Sequence, residues 1–143
     1  HVQKTRTAPS GVPPASAGGV VHYAAVDGDA DRLVLFFARG DGALELLDGD
    51  KMLALMARFV AERLAALSMP LTLGVVQTAY ANGASTAYLR EALGPAADVC
   101  CAATGVKHLH HRALHYDVGI YFEANGHGTL RQSIVRSHRS LVL

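Results

Sequence analysis

Three aspartates at alternate positions, followed directly by an arginine, form the stretch Asp27-Gly28-Asp29-Ala30-Asp31-Arg32. In an extended or looped backbone, alternate side chains point the same way, so the three carboxylates can converge on one point. Unpaired, they would repel one another strongly. A hard divalent cation removes that cost, and carboxylate oxygens are the ligands that Mg²⁺ prefers. The pattern therefore predicts a magnesium site, with a solvated acidic turn as the competing interpretation.

The surroundings of this acidic loop favour the metal interpretation. Apolar runs at residues 20–26 and 33–38 flank it, which predicts a loop between two buried strands. Gly28 and Ala30 are small enough to allow a tight loop around an ion.

A second polar loop, EANGHGT at residues 123–129, follows the apolar run 118–122. Glu123 can accept hydrogen bonds, and Asn125 can both donate and accept them, which suits the paired hydroxyls of a sugar. His127 adds an imidazole among the glycines. An ordinary glycine-containing turn is the alternative for this loop taken alone.

A third loop, at residues 104–107, ends in a lysine. The ammonium of Lys107 follows a Thr-Gly turn and could meet a phosphate as a point charge, although a plain exposed lysine fits equally well. The histidines that follow do not predict zinc, because no cysteine or carboxylate falls in register to complete four ligands. A polar helix face, partly directed at a substrate, is the preferred interpretation of His108, His110, His111 and His115.

Composition bounds the function. The 143 residues are half hydrophobic, about the size of one ordinary domain, and carry a net charge of +1. This charge provides no field for nucleic acid or an anionic membrane, and no apolar run is long enough to span a bilayer. The adjacent Cys100 and Cys101 predict no disulfide framework, which favours a reducing, cytoplasmic setting. The chain begins at His1 and ends on an apolar Leu-Val-Leu, and we interpret both ends as cuts through a longer protein.

The hydrophobic pattern predicts an α/β fold, with mixed or parallel sheets and helices on their faces. After a proline- and glycine-rich connector at residues 4–19, the predicted strands cover 20–26, 33–37, 44–47, 71–77, 98–102 and 118–122. The predicted helices run from Asp48 or Asp50 (as caps) to about residue 67, over 85–93 and over 107–115. The alternation of strand and helix after residue 70 indicates parallel pairing. Two units are expected, residues 1–50 and 51–143.

Read together, these motifs carry a family resemblance. The acidic loop resembles the metal loop of the α-D-phosphohexomutase superfamily. Three further stretches resemble one branch of it, the phosphoacetylglucosamine mutase family: LGVVQTAYANG at 73–83, TGVKHLHH at 104–111 and YFEANGHGT at 121–129. The resemblance runs from about residue 20 to residue 129. It implies that residues 1–50 are the C-terminal part of a phosphohexomutase second domain, and that residues 51–143 form a third domain with the sugar loop.

The resemblance implies an isomerase that interconverts N-acetylglucosamine 6-phosphate and N-acetylglucosamine 1-phosphate, on the route to UDP-N-acetylglucosamine. In that family a phosphoserine donates its phosphoryl group and a bisphosphate intermediate reorients. By resemblance, Asp27, Asp29 and Asp31 would hold Mg²⁺, with Arg32 neutralising phosphoryl charge. Glu123, Asn125 and His127 would hold the sugar, and Lys107 and His108 would face the substrate from the neighbouring loop.

The sequence also departs from the family. Neither a serine loop of the Thr-Ala-Ser-His-Asn-Pro type nor a phosphate loop of the Arg-Pro-Ser-Gly-Thr type occurs in these 143 residues, and Ala102-Ala103 stands where the family tends to carry Thr-Lys. We therefore expect a mutase fragment that is inactive alone. The alternatives are another phosphohexomutase (a phosphoglucosamine mutase or phosphoglucomutase), a non-catalytic Mg²⁺-dependent sugar-phosphate binding module, and a truncated copy that does not fold stably.

Overall fold

A computed structural model of the chain describes Gly11 and residues 19–39 and 43–133. The chain divides into two compact units, residues 1–48 and 49–143. Most of the predicted connector at residues 4–19, the predicted turn at residues 40–42 and the basic tail after residue 133 lie outside the described residues.

The first unit is a three-stranded antiparallel sheet in the order β1-β2-β3. Its strands are β1 (Val20–Val26), β2 (Leu33–Arg39) and β3 (Leu44–Leu47). Phe36, Ala38 and Leu44 form its small core, and Tyr23 stacks on Phe36 with ring centroids 4.9 Å apart. The edge strand β1 is half-exposed or exposed along its whole length. The expectation that buried strands flank the acidic loop on both sides is therefore wrong for β1, because no described element of the first unit covers that strand.

The second unit is a four-stranded mixed sheet with helices on both faces. Its elements are α1 (Gly49–Ala66), β4 (Leu73–Thr78), α2 (Gly83–Leu93), a 3₁₀ turn (Gly94–Ala96), β5 (Asp98–Ala102), α3 (Val106–Ala113), β6 (Val118–Phe122) and β7 (Gly128–Gln132). The strand order is β5-β4-β6-β7; β4 pairs in parallel with β5 and β6, and β7 runs antiparallel to β6.

Alternation along the central strand β4 decides which helix covers which face. Val76 packs with Leu109 and Ala113 of α3. The next residue, Gln77, points to the opposite face, where its Nε2 donates to Ser85 Oγ of α2 at 3.2 Å. Every residue of β4 and β6 is buried, as expected for parallel strands covered on both sides.

The predicted α/β class and the parallel pairing after residue 70 are confirmed. Two details differ. Strand β7 was not predicted, because its Gly-Thr-Leu-Arg-Gln run has little apolar content and the strand forms by pairing with β6. Asp50 lies inside the first turn of α1 rather than before it, and its buried carboxylate accepts the N–H of Asn82 at 3.4 Å. Among the described residues, no helix is both long and apolar enough to cross a membrane.

Candidate metal and sugar-phosphate sites

The acidic loop between β1 and β2 brings three carboxylates together. One ligand oxygen each from Asp27, Asp29 and Asp31 lies within 4.8 Å of the other two. Within the described ranges, no other group of three His, Cys, Asp or Glu side chains has this spacing, so the histidines of α3 form no such cluster. The turn is closed by the N–H of Ala30, which donates to the Asp27 carbonyl at 3.2 Å. Ala30 has φ +59°, a left-handed conformation that favours glycine over alanine.

Arg32 balances part of the negative charge of this loop. Its Nε lies 3.4 Å from Asp27 Oδ2 and 3.6 Å from Asp31 Oδ1, and its backbone N–H donates to Asp27 Oδ1 at 3.2 Å. Partial desolvation raises the pKa of Asp27, but the N–H and the guanidinium of Arg32 outweigh it and hold this pKa below its usual range. Asp27 is therefore ionised at neutral pH and available as a hard oxygen ligand.

The glutamate loop is the turn that joins β6 to β7. The N–H of Glu123 donates to the carbonyl of His127 at 2.8 Å, and the N–H of Gly126 donates to the carbonyl of Glu123 at 2.9 Å. Asn125 braces the turn with its side chain, since its Oδ1 accepts the N–H of His127 at 2.9 Å. Gly126 has φ +92°. These residues thus form a glycine-containing turn closed by three hydrogen bonds, and their role in sugar binding stays a prediction.

The carboxylate of Glu123 is buried, with 7% of the residue exposed. Its Oε2 accepts from Asn125 Nδ2 at 3.3 Å, and its Oε1 accepts the backbone N–H of Gly105 at 3.2 Å. Gly105 and Glu123 follow strands β5 and β6, which lie on either side of β4, so this bond joins two loops across the carboxyl end of the central strand. Ligands bind at this edge of open α/β sheets.

Gly49, the first residue of α1, lies directly under the same turn. Its N–H donates to the carbonyl of Ala124 at 3.1 Å. A Cβ at this position would lie 1.7 Å from the carbonyl oxygen of Glu123 and 3.2 Å from the nitrogen of Gly126. Only glycine allows this approach. Sequence reasoning missed Gly49 as part of the site and missed the contact between Gly105 and Glu123, because nothing in the local pattern shows which distant groups these glycines contact.

Lys107 and His108 lie exposed in the first turn of α3, next to the loop that Glu123 contacts. His110 lies further along the helix and turns inward, with its Nδ1 3.3 Å from the hydroxyl of Tyr121. The second unit therefore brings Glu123, Asn125, His127, Lys107 and His108 to one edge of its sheet, whereas the three aspartates and Arg32 belong to the first unit.

Solved structures with a similar fold define the class of protein. The chain is similar to N-acetylglucosamine-phosphate mutase in its apo form, a member of the alpha-D-phosphohexomutase superfamily, with a TM-score of 0.82 and 41% identity over 99% of this chain and 31% of that one. It is also similar to Aspergillus fumigatus N-acetylphosphoglucosamine mutase in complex with GlcNAc-6P and magnesium, with a TM-score of 0.78 and 43% identity over 93% of this chain and 26% of that one. The fold is that of phosphohexomutase-type domains.

Sequence comparison narrows the class to a family. A family model described as phosphoacetylglucosamine mutase AMG1, domain III, matches residues 48–139. The chain belongs to the phosphoacetylglucosamine mutase family, which confirms the predicted resemblance. Phosphoacetylglucosamine mutase of Saccharomyces cerevisiae is 49% identical over 133 residues, which cover 91% of this chain and 23% of the relative. The chain thus spans about a quarter of the length of that relative.

Proposed function

We propose that this chain supplies the magnesium loop and the sugar loop of a phosphoacetylglucosamine mutase, an enzyme that interconverts N-acetylglucosamine 6-phosphate and N-acetylglucosamine 1-phosphate. The observation that carries the proposal is the convergence of three aspartate carboxylates in a chain of this family. Its support from the comparisons is a relative whose structure contains both GlcNAc-6P and magnesium.

The donors of the acidic loop fit Mg²⁺. They are three hard oxygen ligands on one tight loop, two of them on exposed residues, with Arg32 close enough to offset part of their charge. When bound there, Mg²⁺ would act as a Lewis acid that neutralises charge on a phosphoryl group. We assign Asp27, Asp29 and Asp31 as its ligands and Arg32 as a supporting cation.

The glutamate loop would hold the sugar. Glu123 and Asn125 offer acceptors and a donor for hydroxyl groups, and His127 lies in the same turn. Lys107 and His108 would meet the phosphate end from the start of α3, where the ammonium of Lys107 acts as a point charge. The bisphosphate intermediate must bind in two orientations, so each group must accept either end of the substrate. Positioning of this kind accounts for most of the catalysis in phosphoryl transfer.

The domain assignment is part of the proposal. We assign residues 1–50 to the end of a second phosphohexomutase domain and residues 51–143 to a third. Support comes from the family model for domain III, which begins at residue 48, and from the division of the chain after residue 48. No serine loop occurs within these residues, so the nucleophilic phosphoserine and the bisphosphate chemistry would come from outside them, and the 143 residues alone would be inactive. The route to UDP-N-acetylglucosamine and the cytoplasmic setting stay predictions.

A chimeric enzyme tests this function. Residues 20–133 replace the matching segment of the Saccharomyces cerevisiae mutase, and the interconversion of the two N-acetylglucosamine phosphates is assayed with Mg²⁺. We expect turnover, and we expect the same chimera carrying Asp29→Asn to lose most of it. A folded chimera that binds Mg²⁺ and GlcNAc-6P without turnover would contradict the mutase proposal and favour a non-catalytic binding module.

A further inference from the structure

We propose that Glu123 is a positioning residue for the loop at residues 104–107 (the Lys107 loop) as well as a sugar ligand. The sugar and phosphate contacts of this site would then be coupled through one carboxylate. The inference rests on the proposed function for the roles of Lys107 and the sugar loop. The coupling itself rests on contacts within the second unit.

The first step concerns the start of α3. Gly105 precedes this helix as its N-cap residue and has φ +112°, and no side chain of its own caps the helix. Its carbonyl accepts the N–H of His108 at 2.9 Å and that of Leu109 at 3.3 Å. The orientation of Gly105 therefore sets the first turn of the helix, which carries Lys107.

The second step concerns what holds Gly105. Its N–H donates to Glu123 Oε1 at 3.2 Å, so a carboxylate from the neighbouring loop accepts the N–H that the N3 Glu or Gln accepts in a capping box. A negative charge at a helix N-terminus is favourable because of the helix dipole. Residues 104 and 105 lie in a bend with no strand partner, and the contact with Glu123 anchors them to the sheet.

The third step concerns what holds Glu123. The residue is buried, and its second carboxylate oxygen accepts from Asn125. Its backbone N–H donates to the carbonyl of His127, and its carbonyl accepts the N–H of Gly126. Each carboxylate oxygen accepts one hydrogen bond, so a sugar hydroxyl that reaches Glu123 shares its oxygen with Gly105 or with Asn125. A hydroxyl at Oε1 would compete with the bond that holds the loop carrying Lys107, which couples the two ends of the substrate.

Inorganic phosphate separates positioning from direct contact, because it has no sugar hydroxyls for Glu123 to bind. If Glu123 acted only as a nearby negative charge, then its removal would tighten phosphate binding. If it positions Lys107, then Glu123→Ala should weaken phosphate binding by about tenfold, the factor expected for loss of one hydrogen bond to a charged group. Glu123→Gln keeps an amide oxygen for Gly105 and should recover most of the affinity.

The experiment uses the whole chain and two readouts. Phosphate affinity is measured by calorimetry, and amide hydrogen exchange is measured at Gly105, His108 and Leu109. Exchange at these amides should accelerate in Glu123→Ala and stay near wild type in Glu123→Gln. Glu91→Gln, an exposed glutamate on α2, controls for the loss of one charge.

Two outcomes would overturn the inference: unchanged exchange at Gly105 in a folded Glu123→Ala variant, or tighter phosphate binding by that variant. If the wild-type chain binds no phosphate, the phosphate role proposed for Lys107 fails, while the exchange measurement still decides whether Glu123 positions this loop.

Discussion

Gly49 lies so close to the glutamate loop that replacing it with alanine should destabilise the protein, and Gly83→Ala provides a matched control. In Gly49→Ala, the new Cβ would lie 1.7 Å from the carbonyl oxygen of Glu123, against a normal contact of roughly 3.5 Å. The turn would have to move by more than about 1 Å, because neither atom is the end of a flexible side chain. The bond from the Gly49 N–H to Ala124 would be strained with it.

The size of the effect follows from opposing contributions. Overpacking against backbone costs about 1–3 kcal/mol. Weakening one hydrogen bond costs about 0.5–1.5 kcal/mol. Alanine regains about 0.5–1 kcal/mol over glycine in a helix. We therefore expect a net loss of about 1–3 kcal/mol in the free energy of unfolding, measured by urea denaturation followed by circular dichroism.

Gly83→Ala is the matched control. Gly83 is also the first residue of a helix, α2, but nothing lies within 4 Å of a Cβ built on it. The same substitution should stabilise the protein there by about 0.4–1 kcal/mol. The two variants should thus shift the denaturation midpoint in opposite directions. Equal midpoints would refute the reasoning, because the contact under Glu123 would then be absent from the folded protein.

Three further predictions concern single side chains. Asp29→Asn removes one charged ligand and should weaken Mg²⁺ binding at least about tenfold by calorimetry; an unchanged titration would refute the metal assignment. Glu123→Gln should lower affinity for GlcNAc-6P and leave Mg²⁺ binding intact, whereas loss of both would indicate a folding defect. Burial, and then the hydrogen bond to Asp98 at 2.5 Å, raises the pKa of the Tyr116 phenol above its usual value of 10. This contribution to stability is complete below pH 10 and is lost as the pH rises beyond it. Tyr116→Phe should abolish the loss of stability above pH 10 and should lower the free energy of unfolding at pH 7 by about 1–2 kcal/mol. Urea denaturation at pH 7 and above pH 10 measures both effects. Parallel pH curves for the two proteins would contradict this assignment.

Much of the fold follows from local sequence. The strand at Val118–Phe122 and the helix at Gly83–Leu93 were predictable, since a short apolar run and a capped amphipathic segment have few competing structures. The strand Gly128–Gln132 was not, because its own residues favour no strand and its hydrogen bonds come from β6. The conformation of Ala30 was also not predictable from local sequence. In the acidic loop, this alanine adopts a left-handed conformation, whereas the neighbouring aspartates do not.

The candidate site divides in the same way. Alternation of Asp27, Asp29 and Asp31 is a local property, so the sequence by itself determined that three carboxylates can converge. The sequence also determined the residue types of the loops at the carboxyl ends of β5 and β6. Only the tertiary structure decided that the carboxylate of Glu123 meets the N–H of Gly105 and that Gly49 lies under the same turn. These contacts depend on the strand order β5-β4-β6 and on how closely α1 approaches the sheet. Backbone groups from distant parts of the chain leave no periodic signal in the sequence, because every residue type except proline offers the same N–H and every residue the same carbonyl.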